Sequence, residues 1–101
     1  IRVECKILET PKMKAIIAVD FGDFLVKGFR VLPSEHTNDR GDNLWLVPPS
    51  YRDAGGRYHP IFFMPEKDIW KKMENVVWDE YHKQNDAHFK KRLDIDLDMP
   101  I

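Results

Sequence analysis

The hydrophobic period of this chain changes once, near Pro65, and that change decides its architecture. Before it, apolar residues recur at every second position. Ile1, Val3, Cys5 and Ile7 alternate with Arg2, Glu4 and Lys6, the pattern of a half-buried strand. Thr10-Pro11 ends this run. Residues 14–21, rich in Ile and Val, form a second expected strand, and Gly22-Asp23 reads as a hairpin turn into a third at 24–32. Gly28 inside that third strand predicts a bulge or a close backbone approach. Residues 33–43 are polar and aperiodic, a loop. Leu44 to Val47 is a short fourth strand, stopped by Pro48-Pro49, which cannot donate to a ladder. Ala54-Gly55-Gly56 turns the chain, and residues 58–63 run back as a fifth.

After Pro65 the spacing becomes helical. Pro65 suits a first helical turn, and Glu66 and Asp68 suit the positive end of the dipole. Ile69, Met73, Val76, Val77 and Tyr81 share one face, flanked by Trp70 and Trp78. Gln84 to Asp86 is expected to break or end the helix, with residues 87–92 adding another turn or two. The expected fold is α+β, an antiparallel sheet of about five strands followed by a C-terminal helix packed on one face. One domain is expected over residues 1–92, with an acidic tail over 93–101.

A chain of 101 residues, 43% hydrophobic and 33% charged, suits one globular domain with a modest core. No apolar run approaches the roughly 18 residues of a membrane span, and no stretch reads as a signal peptide. Cys5 is the single cysteine, which excludes an intrachain disulfide and favours a reducing, cytoplasmic setting. The net charge of −1 does not by itself mark a nucleic-acid binder. Its distribution is more permissive: without Asp94, Asp96 and Asp98 the chain carries 16 basic and 14 acidic side chains. Six Phe, three Trp and three Tyr exceed what one small core uses, and one helix leaves sheet edges open, so a homodimer is expected.

Catalytic chemistry finds little support. Cys5 falls on the apolar phase of its strand and reads as a buried, inert thiol. His36, His59, His82 and His88 lack compact metal-ligand spacing. Asp20 and Asp23 flank a turn, where Asp serves local hydrogen bonding. Gly55-Gly56 lacks the spacing of a phosphate-cradling loop. No enzyme activity, cofactor, metal or small-molecule substrate is expected, and no membrane partner.

Two basic features are left. Residues 50–58 present Tyr51, Arg52 and Arg57 around the Gly-Gly turn, where Arg can grip phosphate, Tyr can stack on a base and Gly admits close backbone approach. The same stretch also reads as an ordinary hairpin connection with solvated side chains. Lys90-Lys91-Arg92 is a basic patch, which is either a solvated face or a further contact with nucleic acid.

The order of the motifs separates these readings. Lys14-Ala15-Ile16-Ile17-Ala18, Asp23-Phe24, Phe29-Arg30-Val31, Leu46-Val47-Pro48-Pro49-Ser50 and His59-Pro60-Ile61 precede a helix bearing Asp79-Glu80-Tyr81-His82. Over residues 1–84 this series resembles the SpoVG (stage V sporulation protein G) family of bacterial septation regulators. The resemblance implies a small homodimeric regulator of gene expression and septation that binds DNA and, in some members, RNA. It also implies an antiparallel sheet with a C-terminal helix, and nucleic-acid contact through the basic loop after the Pro-Ser pair. That loop's Lys-Arg becomes Tyr51-Arg52 here, and its later arginine matches Arg57. The expected nucleic-acid contacts are therefore Tyr51, Arg52, Arg57, Lys90, Lys91 and Arg92. The competing expectation is a dimeric protein-interaction module that uses its aromatics and acidic tail.

Overall fold

The structure, a computed structural model, describes residues 1–97, with side chains described through Lys91. Strands β1 (Arg2–Ile7), β2 (Ala15–Asp20), β3 (Leu25–Pro33) and β4 (Leu44–Val47) form one antiparallel sheet in chain order. β5 (Ser50–Arg52) and β6 (Tyr58–Pro60) pair as a separate two-stranded ribbon, and α1 (Lys67–Leu97) follows. The α+β class and antiparallel pairing are as expected. Among the described residues the strands number six and are divided between two sheets. Pro48-Pro49 ends the β3–β4 ladder, and the chain resumes pairing at once, with Ser50 opposite Pro60.

Alternation assigns the two faces of the large sheet. Val3 lies opposite Val19, Cys5 opposite Ile17, Ile17 opposite Phe29, and Val31 opposite Leu46. These side chains share one face with Ala15, and α1 covers it with Met73, Val77, Trp78 and Tyr81. Trp78, Phe29, Ile17 and Met73 are almost wholly buried, and each such side chain favours folding by roughly 1.5–3 kcal/mol over an exposed one.

Gly28 does both things expected of it. The β2–β3 register moves from Ile17↔Phe29 to Ala18↔Lys27, leaving Gly28 as the extra residue of a bulge at φ 98°. A Cβ there would stand 3.5 Å from Pro49 Cβ, so the β4–β5 connection lies against the bulge. The β2–β3 hairpin also turns where expected, with Gly22 at φ 101° and its N–H donating to Asp20 Oδ1 at 2.8 Å.

The helix departs from expectation in three ways. It begins at Lys67, with the Glu66 carbonyl accepting from Trp70 N–H at 3.2 Å, so Pro65 stands just outside the first turn. Ile69 is 46% exposed, while Trp70 turns inward to Phe29, ring centroids 6.3 Å apart. Gln84 to Asp86 does not break the helix, which runs on past residue 92 to Leu97. Gln84 Nε2 donates to Glu80 Oε1 one turn earlier, at 2.8 Å, and Asn or Asp costs less than about 1 kcal/mol inside a helix.

The polar segment after β3 has a structural task. Arg40 meets Asp79 at 2.7 Å and donates to the Asn75 carbonyl at 3.3 Å. His82 Nε2 contacts Asp42 Oδ2 at 2.7 Å, and Lys71 reaches Asp39 at 3.5 Å. The segment straps the helix to the sheet. Among the described residues no helix is long and apolar enough to cross a membrane.

Candidate functional site

The β5–β6 hairpin is organised by one carboxylate. Gly56 N–H donates to the Asp53 carbonyl at 3.1 Å, and Asp53 N–H donates to the Arg57 carbonyl at 2.8 Å. Gly56 sits at φ 85°, giving a tight turn followed by a left-handed residue, one of the common hairpin closures. Asp53 Oδ1 accepts from Gly55 N–H and Arg57 N–H, each at 2.9 Å, while Oδ2 lies 2.7 Å from His59 Nε2. The His59 contact and these backbone N–H groups hold the Asp53 carboxyl below its ordinary range.

Pairing then sorts the expected contact residues onto opposite sides of the ribbon. Tyr51 lies opposite His59, and their rings stack with centroids 5.1 Å apart. Arg52 lies opposite Tyr58 on the other side, its guanidinium carbon 5.9 Å from the Tyr58 ring centroid. Tyr51 and Arg52 therefore do not form a single patch, because successive strand residues face opposite ways. Arg57 is exposed at the end of the turn.

Arg30, which sequence reasoning does not place in the site, completes the Arg52 side. Its guanidinium carbon is also 5.9 Å from the Tyr58 ring centroid, and its Nη2 donates to Ser50 Oγ at 3.0 Å. Two guanidinium groups thus flank one tyrosine that is 62% exposed. The ribbon and the sheet face away from α1 enclose a cleft of about 550 Å³, lined among others by Lys12, Arg30, Leu32, Trp45, Val47 and Tyr58. Its lining residues include no carboxylate. Trp45 is 53% exposed. Its legible signal was phase: Trp45 precedes buried Leu46 in β4, so it had to face away from the helix.

Lys90 and Lys91 are exposed on the last described turns of α1. Nearby, His88 Nε2 contacts Glu9 Oε1 at 2.8 Å, so these lysines stand by the β1–β2 connection and not on the hairpin. The side chain of Arg92 lies outside the described residues. Among the described residues no group of three or more His, Cys, Asp or Glu side chains is placed to hold a metal. Burial, with a smaller contribution from Glu80, pushes the Cys5 thiol up to about 12, so almost none of it is thiolate at neutral pH.

Compared with known proteins, the chain matches no family model, no curated protein and no solved structure.

Proposed function

We propose that this chain is a nucleic-acid-binding regulator of the SpoVG kind, cytoplasmic and homodimeric, contacting DNA or RNA through its 50–58 hairpin. The observation that carries the reading is the Arg30–Tyr58–Arg52 arrangement. Two guanidinium groups beside an exposed aromatic supply phosphate contacts and a stacking surface at one place. Asp53, the nearest acid of the hairpin, is engaged by His59 and backbone N–H groups. The proposed contacts are Arg52, Arg57 and Tyr51, now with Arg30, while Lys90 and Lys91, by the β1–β2 connection, are proposed as a separate contact. Regulation of gene expression and septation is what the family resemblance adds. No catalytic role is proposed.

The test is a gel shift against DNA and RNA pools at low and moderate salt. Each phosphate contact contributes a slope of about 0.7–0.9 in log affinity against log salt. Arg52→Ala lowers affinity for all sequences and reduces that slope, because a phosphate contact carries no base information. Wild-type affinity and slope in a folded Arg52→Ala protein would remove the hairpin from the interface.

A second reading, a dimeric protein-interaction module, has an observation of its own. Phe63, Ile61 and Phe24 are 78%, 68% and 56% exposed, and Phe24 stacks on Phe21, which stacks on Phe62. Exposed apolar side chains of this kind suit a partner surface. We assign that surface to the homodimer. Light scattering should return twice the chain mass of 12.0 kDa. A monomer mass that persists at high concentration would remove the dimer.

A further inference from the structure

We infer that the cleft between the ribbon and the open sheet face receives one unpaired nucleobase, so that the protein selects single strands over duplex. The inference rests on the nucleic-acid reading above and adds to it which form is bound and where the base goes. Tyr51, 54% exposed and stacked on His59, does not line this cleft. Trp45 and Tyr58, 53% and 62% exposed, line the same concavity, with Arg30 and Arg52 beside the Tyr58 ring. A cavity of about 550 Å³ falls in the roughly 300–1,000 Å³ range of small-ligand clefts, large enough for a nucleotide and unsuited to a paired, stacked helix.

The chemistry of the walls suits a flat group carrying negative charge. Leu32, Val47, Pro48 and Pro60 supply apolar surface, Lys12 and Arg30 are the charged groups, and no acid lines the cleft. Arg30 is held in place by Ser50 Oγ, a contact that occupies one of the five N–H donors of a guanidinium. The remaining donors suit a base edge or a phosphate oxygen. Every base has a face to stack, so this site is tolerant of sequence. A base inside a duplex must first leave its stack, and that cost disfavours the double-stranded form.

The experiment uses the full chain and three probes: a short mixed-sequence single strand, its duplex, and the same backbone without bases. Wild type should bind the single strand at least about tenfold more tightly than the duplex. Its tryptophan emission should be quenched by the strand with bases but not by the abasic backbone. Trp45→Ala, checked for folding by circular dichroism, should lose roughly 5- to 150-fold affinity for the single strand and none for the abasic backbone. Trp45→Phe should recover most of the loss. If wild type holds single strand and duplex equally, or folded Trp45→Ala binds the single strand like wild type, the cleft inference is overturned and the nucleic-acid reading stands. If wild type binds none of the three probes at low salt, the nucleic-acid reading falls and takes the inference with it.

Discussion

The two faces of the four-stranded sheet are built from the same alternating strands, yet they have opposite fates. On one face, Ile17, Phe29 and Val31 are sealed under Met73, Val77 and Trp78. On the other, Arg30, Leu32, Trp45 and Val47 meet only a three-residue-per-strand ribbon, and an open cleft results. A closed face maximises buried apolar area, which is how a chain of this size stays folded. An open face with aromatic and cationic side chains is poor for stability and suited to binding. One strand can serve both purposes because adjacent residues, Phe29 and Arg30 or Trp45 and Leu46, look in opposite directions.

Tryptophan offers the sharpest way to break that contrast. Trp78→Ala on the closed face should cost about 3–5 kcal/mol, because it empties a space that is 1% exposed. Trp45→Ala on the open face should cost about 1 kcal/mol or less. Urea unfolding of both variants checks the pair, and equal losses would show that the open face belongs to the core after all.

Next in size is the joint between the faces. Gly28→Ala should destabilise by about 1–2 kcal/mol, since φ 98° disfavours any residue with a Cβ. The 3.5 Å approach to Pro49 is ordinary contact, so backbone strain carries the effect. Amide exchange should rise around residues 27–30 and at Val47 and Ser50, the amides that flank the two prolines.

Acid should loosen the open side before the closed one. The Asp53 carboxyl is held below the ordinary aspartate range in the folded chain, so its contribution is complete above that range and is lost as pH falls through the lower folded value. Protection of the Gly55 and Arg57 amides, relative to the intrinsic exchange rate at each pH, should fall below about pH 4 while Val77 and Trp78 stay protected. Asp53→Ala should show the faster exchange at neutral pH.

The smallest effect belongs to Cys5. With its thiol raised to about 12 by burial, disulfide reagents at mild alkaline pH should label it only after unfolding. Cys5→Ala should shift stability by about 1 kcal/mol and leave binding unchanged.

Fold class, the Gly28 bulge and the Gly22 turn were legible because each depends on local spacing. The continuity of α1 was not, since Gln84 to Asp86 look like a break until Gln84 is seen bonded to Glu80 and the helix is seen anchored by Tyr81. The hairpin was legible as a place, and Tyr51, Arg52 and Arg57 as its residues. Its division into two sides followed from pairing register, which the sequence left unspecified. Arg30 stayed hidden because its partner Ser50 is twenty residues away, on another strand. Residues 33–43 read as a polar, aperiodic loop for the same reason: Arg40 and Asp42 acquire meaning only beside Asp79 and His82.

A single helix of 31 residues is about 46 Å long, far longer than the strands it crosses. The molecule measures 53 × 34 × 26 Å, and its radius of gyration of 15.6 Å exceeds the roughly 13 Å of a compact chain of this length. Such a particle tumbles unevenly, fast about its long axis and slowly end over end. On a sizing column it will elute ahead of a sphere of equal mass. Elution volume alone would therefore credit one copy with part of the bulk of two, and the number of chains in the particle has to be read from mass.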